Sequence, residues 1–501
     1  MDNLYSHIER ATPRRSDRAL LTTDDGRVVT WSELHVRTAS YAHLLLECGL
    51  QRGDRVAAQV DKSPESLFLY LACLRAGLAY LPLNTAYQRS ELTYLLGDAQ
   101  PRVVVCKPQS IGEFKELAAG ASVLTLDDAG NGTLPAAAAS QRQSFETREV
   151  ASDDLATIIY TSGTTGRSKG AMVTHGNLVS NAHALVQCWG FEERDVLLHA
   201  LPVFHVHGLF VANHCVLLSG ASMLWHAKFD AKRVVNDLAR TTVLMGVPTF
   251  YTRLLAEPGF DKAVTSRVRL FVSGSAPLLT DTFEAFERRT GQRILERYGM
   301  SEAGMITSNP LDGERRGGAV GLPLPGVSVR VADEQDRPLP IGEVGDIQIK
   351  GPNVFRGYWR MPEKTRDEFT ADGWFRTGDV GQFDRDGYLA IVGRAKDLII
   401  SGGYNVYPKE IELAIDAIPG VAESAAVGLP HPDLGEGVTA AVVLRPGTRL
   451  TEAEIIGTLR GELAGYKVPK RVFVVPELPR NAMGKVQKNV LRELYRNTFN
   501  A

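Results

Sequence analysis

Apolar and polar positions follow two different rhythms along this 501-residue chain. In the first third, short apolar runs at 28–30, 56–60 and 79–83 are separated by stretches with helical spacing, which predicts strands divided by helices. Thr30 followed three residues later by Glu33 is a capping-box signature, and the helix it opens runs towards Cys48, with Gly49 as its stop. Ser63-Pro64-Glu65 opens the next helix. The rhythm returns at 268–272 (strand), 280–290 (helix, with Phe283 and Phe286 on one face) and 293–297 (strand). Such alternation predicts an α/β fold with mainly parallel sheets layered with helices, and ligands bound beyond the carboxyl ends of the strands. Residues 127–150, rich in Ala, Gly and polar types, read as a surface loop.

After Gly326 the texture shifts to short strands and turns, a β-rich part. Asp384-Arg385-Asp386-Gly387 reads as a hairpin turn between 378–383 and 388–392, and a charged Gly-Arg-Ala-Lys-Asp follows at 393–397. The boundary is expected there, with a large N-terminal domain over 1–393 and a small α+β domain over 397–501. In the latter a helix starts near Pro408, strands run near 421–427 and 439–444, a helix spans 452–463, and a strand spans 471–475. A chain of this length exceeds what one core usually organises, so two domains agree with size as well as texture.

Charge narrows the partners. Lys+Arg 56 against Asp+Glu 58, with no basic block, gives no nucleic-acid signature. The N-terminus lacks an apolar leader core, and no uncharged run approaches the roughly 18 residues a membrane helix needs. Cys48, Cys73, Cys106, Cys188 and Cys215 are odd in number and scattered, a reduced pattern that predicts a soluble cytoplasmic protein.

Chemistry concentrates in a few stretches. Residues 160–170, Tyr-Thr-Ser-Gly-Thr-Thr-Gly-Arg-Ser-Lys-Gly, follow an apolar strand-like run. The backbone N–H groups around Gly163 and Gly166 can approach an anion closely. The hydroxyls of Thr161, Ser162, Thr164 and Thr165 can donate hydrogen bonds, and Arg167 and Lys169 offset phosphate charge. A Walker A loop requires G-x-x-x-x-G-K-[ST]; here the lysine is displaced and no hydroxyl follows it, so an ordinary P-loop is disfavoured.

Further along, Ser273-Gly274-Ser275-Ala276-Pro277 offers small residues against which an adenine can lie. In Arg297-Tyr298-Gly299-Met300-Ser301-Glu302, Tyr298 can stack on the base, Gly299 permits a tight backbone turn, Ser301 can bond a phosphate oxygen, and Glu302 can coordinate magnesium carried by pyrophosphate oxygens. Asp379, in Thr377-Gly378-Asp379, can accept both ribose hydroxyls, with Arg394 as a second ribose or phosphate contact. Gly402-Gly403 can let a narrow pantetheine arm pass, and Lys485 can neutralise charge in a phosphoryl-transfer transition state. Taken singly, each also reads as a turn, a cap or a solvated side chain.

In order and spacing, the motifs at 160–170, 298–302, 377–379, 402–410 and 484–485 together resemble the adenylate-forming superfamily of acyl-CoA synthetases over nearly the whole chain. The resemblance implies ATP, Mg2+ and CoA as cosubstrates and cofactor, Thr161 and Glu302 near the metal, and Lys485 as the adenylating lysine. It also implies a hinge at 394–396 centred on Lys396, about which the small domain rotates between two half-reactions. The segments His205-Val206-His207-Gly208, 272–276, 296–300 and 480–485 are most similar to the malonyl-CoA synthetase branch. That likeness implies Arg297, aided by Ser275 and His207, as the holder of a second carboxylate, with Met305 limiting substituents at the α-carbon. Arg297 read without the family is as well explained by a salt bridge to Glu296. His205 and His207 as metal ligands are disfavoured, because no carboxylate or cysteine cluster completes a site. Alternatives are a ligase for another small, medium-chain or aryl acid, a carrier-loading adenylation enzyme, and a non-catalytic nucleotide-binding regulator. Acetylation of Lys485 by a lysine acetyltransferase is a further expectation, since it would remove the required charge.

Overall fold

The computed structural model describes residues 2–161, 168–401, 404–463, 465–481 and 484–499. They form two compact units, Met1–Ser328 with Ile349–Phe375, and Val329–Gln348 with Arg376–Ala501.

Two sheets build the first unit. In the seven-stranded sheet, Leu155–Thr161, Ala79–Pro82, Arg55–Gln59, Val103–Cys106 and Ser122–Thr125 run parallel, while Lys169–Thr174 and Gly357–Tyr358 add antiparallel strands at one edge. In the nine-stranded sheet, Leu295–Met300, Leu270–Ser273, Val243–Gly246, Val196–His199, Ser222–Trp225 and Ala19–Thr23 are parallel. Antiparallel Gly304–Ser308 and Leu322–Pro323 close one edge, and Val28–Thr30 closes the other. Strands 79–82, 103–106, 243–246 and 270–273 are buried at every position, because helices cover both faces of a parallel sheet. Helix Pro64–Arg75 is likewise buried throughout; Pro64 fits its first turn, and Ser63 and Ser66 cap it reciprocally. Phe283 and Phe286 of helix Thr280–Thr290 pack into an aromatic core with Tyr251, Phe260 and Phe271.

Two expectations change. The strand anticipated at 293–297 is Leu295–Met300, so Arg297, Tyr298 and Gly299 stand within a strand rather than after one. Their ladder partners come from Gly304–Ser308, a short strand whose glycine and mixed polarity hide it from a pattern reading. The loop anticipated at 127–150 contains helix Thr133–Ala138, which buries only Leu134 and Ala138 and is too short to display a period.

The second unit holds a four-stranded sheet of Ser328–Ala332, Gly345–Lys350, Phe375–Phe383 and Leu389–Arg394. Its last two strands pair antiparallel across a turn in which Gly387 has φ +83°. A five-stranded sheet follows, ordered Tyr404–Val406, Ile399–Ser401, Gly435–Leu444 and Val421–His431, with Arg471–Val474 parallel to Gly435–Leu444. Helices Pro408–Asp416 and Glu452–Glu462 cover it around a core of Ile411, Ile415, Ile455 and Leu459. The units divide at 328/329, 348/349 and 375/376, all ahead of the 394–396 segment. Among the described residues no helix is long and apolar enough to cross a membrane.

Candidate active site

In the nine-stranded sheet the parallel register aligns Gly246 with Ser273 and Ser273 with Glu296, which brings the carboxyl ends of neighbouring strands together. Arg297 arrives there on its strand and is 3% exposed. Gly274 makes room for it, since a Cβ at that position would overlap the guanidinium. Among the described residues, Arg297 Nε and Nη2 have no hydrogen-bond partner. Glu296 leaves the opposite face of the strand, as the pleat requires, and its carboxylate accepts from the Leu278 N–H at 3.0 Å. Burial pushes the Arg297 guanidinium down to about 10, partly offset by Tyr251 and Glu296, so it stays charged at neutral pH.

Beside it, Ser275 holds φ +71°, a left-handed conformation that costs a non-glycine residue roughly 1–2 kcal/mol and recurs at functional sites. Its Oγ lies 3.3 Å from His207 Nδ1. Burial, reinforced by the charge of Arg297, pushes His207 well below its ordinary value, so the imidazole is neutral. With Nδ1 accepting from Ser275, the buried Nε2 is left as an N–H without a partner among the described residues. A guanidinium and a neutral imidazole N–H, both enclosed, are donors that an anion can satisfy. Met305 and the Gly304 carbonyl lie against Gly299 so closely that no Cβ would fit there. Ala276 is half-buried, Pro277 exposed and Tyr298 buried; Met300 and Ser301 are half-buried where the strand leads into the turn before Gly304.

At the segment expected to hold phosphate, Thr161 ends one strand and Lys169 begins the next, paired across the same ladder. Thr161 Oγ1 lies 3.4 Å from the Lys169 carbonyl. Lys169 Nζ stands 4.4 Å from the centroid of the Tyr358 ring and 3.6 Å from Glu368. The Tyr358 hydroxyl donates to Glu302 Oε1 at 3.1 Å, so a single aromatic bridges the cation and the buried carboxylate. Burial and the Glu302 charge push the Tyr358 phenol up, which keeps it a donor. Among the described residues no cluster of three or more metal-binding side chains occurs. The single buried Glu302 carboxylate instead fits magnesium, which keeps most of its ligands from phosphate oxygens and water. Ser162, Gly163, Thr164, Thr165, Gly166 and Arg167 lie outside the described residues.

The second unit positions the remaining candidates. Asp379 is buried, its N–H donates to Thr377 Oγ1 at 3.1 Å, and Arg394, its cross-strand partner, approaches one carboxylate oxygen at 3.0 Å through Nε. Lys396 is exposed overall, yet desolvation of its amine, with Arg394 close by, pushes it down to about 8. Lys485 is exposed on a tight turn in which Gly484 has φ +74° and the Lys485 N–H donates to Asn481 Oδ1 at 3.0 Å. Gly402 and Gly403 lie outside the described residues.

The pattern reading missed Tyr358 and Asn181. Asn181 accepts from the Met305 N–H at 3.0 Å and donates to the Met305 carbonyl at 2.8 Å, fixing the Gly304–Ser308 strand from a separate helix. Neither sits in a glycine- or hydroxyl-rich stretch, and contacts between distant segments leave no local signal.

The chain matches the family of AMP-binding enzymes over residues 8–359 and the AMP-binding enzyme C-terminal domain over residues 410–485. It is 53% identical to ATP-bound MatB from Rhodopseudomonas palustris, with a TM-score of 0.98 over 100% of both chains. It is also 37% identical to a feruloyl-CoA synthase of an Amycolatopsis species, over 96% of this chain and 97% of that protein. A malonate–CoA ligase of Arabidopsis thaliana is 36% identical over 90% of this chain and 79% of its own length. On these matches, the chain belongs to the AMP-binding enzyme family, as an AMP-forming acid–thiol ligase.

Proposed function

We propose that the protein joins malonate to CoA in two steps. One malonate carboxylate attacks the α-phosphate of ATP, pyrophosphate leaves, and malonyl adenylate forms. The CoA thiolate then attacks the activated carbonyl, AMP leaves, and malonyl-CoA is released. Arg297 carries this reading: a buried guanidinium with two nitrogens, Nε and Nη2, in need of an acceptor suits an acid that brings a second carboxylate. Likeness to a malonate–CoA ligase supports it.

His207 and Ser275 assist at the distal carboxylate, and Met305 bounds the α-carbon, with methylmalonate the test of how tightly. Tyr298, Gly299, Met300, Ser301 and 275–277 face the nucleotide, Lys169 offsets phosphate charge, and Asp379 with Arg394 takes the ribose. Glu302 and Thr161 would hold magnesium, which supplies charge neutralisation on the departing pyrophosphate. Lys485 stabilises charge during adenylation, Lys396 lies at the pivot between half-reactions, and Gly402-Gly403 lines the CoA path. The five cysteines are free. Acetylation of Lys485 rests on the chemistry of that lysine alone.

Likeness to a feruloyl-CoA synthase favours a second reading, an uncharged aryl acid. Such a substrate would leave the Arg297 charge buried and unpaired, which costs several kcal/mol. CoA-dependent AMP release across malonate, methylmalonate, propionate, octanoate and ferulate separates the two. Malonate is expected to lead; a lead for octanoate or ferulate overturns the malonate assignment while leaving acid–thiol ligation intact.

A further inference from the structure

One enclosed amine of the first unit is not used by the chemistry above. Lys62 stands between strand Arg55–Gln59 of the seven-stranded sheet and helix Pro64–Arg75. Its stem is partly exposed, but its Nζ is enclosed, 4.3 Å from the centroid of the Trp225 ring. There it donates to His199 Nδ1 at 2.8 Å and to the His199 carbonyl at 2.7 Å. His199 ends strand Val196–His199 of the other sheet, so the contact ties the two sheets together beside the acyl-side group.

The imidazole passes the constraint on. With Nδ1 accepting from Lys62, Nε2 carries the proton and donates to the Gly208 carbonyl at 3.0 Å. Gly208 lies in the wide helical turn His207–Ala212, whose i to i+5 bonding is rare and recurs at functional sites. A Cβ on Gly208 would overlap the Pro202 carbonyl, so the backbone is held from both sides. Directly before it stands His207, with its Nδ1 3.3 Å from Ser275 Oγ.

We propose that Lys62 is a positioning residue for the ligation reaction: it fixes the tautomer and ring plane of His199, whose N–H anchors Gly208 and thereby sets the His207 imidazole against Ser275. Desolvation pushes the Lys62 amine and the His199 imidazole well below their ordinary values, so the two meet without charge repulsion. The arrangement contributes orientation more than stability, since desolving an amine offsets much of what two hydrogen bonds return. The inference rests on His207 serving the acyl side.

A double-mutant cycle tests it on the full-length enzyme, with ATP, CoA and the best acid of the panel as substrates. Lys62→Met is expected to lower kcat/KM for the acid about tenfold while the KM for ATP changes less than about twofold. In a His207→Ala background the same substitution is expected to cost less than about twofold, because the residue it positions is gone. His199→Gln, which retains a donor and an acceptor at similar reach, is expected to keep more activity than His199→Ala. Should Lys62→Met fail to fold, His199→Ala takes its place in the cycle, with the same non-additivity expected. Equal fold losses in both backgrounds, or a Lys62→Met enzyme indistinguishable from the parent, would overturn the positioning role alone. A His207→Ala enzyme at full activity would overturn the reading of the acyl side, and this inference with it.

Discussion

At the scale of single residues, two cations are given opposite environments. Arg297 is enclosed and stays charged because its ordinary value is so high that burial to about 10 still leaves it protonated at pH 7. Lys485 stands exposed on a turn whose geometry Gly484 and Asn481 set, which suits the proposed adenylating role. On that proposal Lys485 acts in the first half-reaction alone, which gives a separable phenotype. Lys485→Ala is expected to lower adenylate formation, read by ATP–pyrophosphate exchange, by about 100-fold or more, within the range for loss of one transition-state charge contact. Thioester formation from preformed adenylate should change less than about threefold. Equal losses in both assays would remove Lys485 from adenylation chemistry.

At the scale of elements, the hairpin of Leu295–Met300 and Gly304–Ser308 organises the proposed acyl side. It carries Arg297 and Tyr298 on one arm and Met305 on the other, and its register shifts between Tyr298 and Gly299, where Met305 closes in. Gly299→Ala has no room for its methyl between the Gly304 carbonyl and Met305. The arms must separate, at a cost of about 1–3 kcal/mol for overpacking, and kcat/KM for the acid should fall at least about tenfold. Measured stability and activity both at parental levels would show that the hairpin is not so tightly closed.

Much of this level is legible in the sequence. The helices opened by Thr30 and by Ser63-Pro64 announce themselves through caps, and helix Thr280–Thr290 through the spacing of Phe283 and Phe286. The antiparallel return strand 304–308 does not, because a five-residue strand starting in glycine has neither the length nor the alternation to stand out. The same holds within the site. Arg297, Glu302 and Asp379 lie in compositionally unusual stretches, whereas Tyr358, Asn181, Lys62 and His199 acquire meaning only from partners more than a hundred residues away, or, for Tyr358, from Glu302 in another segment.

At the scale of the whole molecule, the buried histidines of the first unit and one buried carboxyl of the second respond oppositely to acid. In the first, burial pushes His35 and His175 down to about 4 and His214 to about 3. Their folded values lie below the unfolded value of about 6.5, so the unfolded chain binds more protons between these limits. The stability they secure is present above pH 6.5 and is lost as the pH falls towards 4. Three such groups give a slope of up to about 4 kcal/mol per pH unit near pH 5. Asp416, in the second unit, has the reverse sign: burial raises it to about 6, so its contribution favours folding below about pH 4 and fades as the pH rises through 6. All five tryptophans (31, 189, 225, 359 and 374) lie in the first unit, so their fluorescence reports its unfolding selectively. The urea midpoint read this way should fall steadily from pH 6.5 to 4.5; a flat midpoint would mean that the buried histidines are already protonated or readily hydrated in the folded state.

The central claim is that a buried guanidinium selects an acid with a second negative charge, and the ratio of kcat/KM for malonate to that for propionate tests it most directly, since the two acids differ chiefly in that charge. The ratio should be large in the parent enzyme and should fall by about 30- to 1,000-fold in Arg297→Met, through loss of malonate activity with propionate little changed, as expected for about 2–4 kcal/mol from a charge-assisted contact. A ratio unchanged by the substitution, or propionate losing as much as malonate, would contradict the assignment of Arg297 and of the substrate it is taken to select.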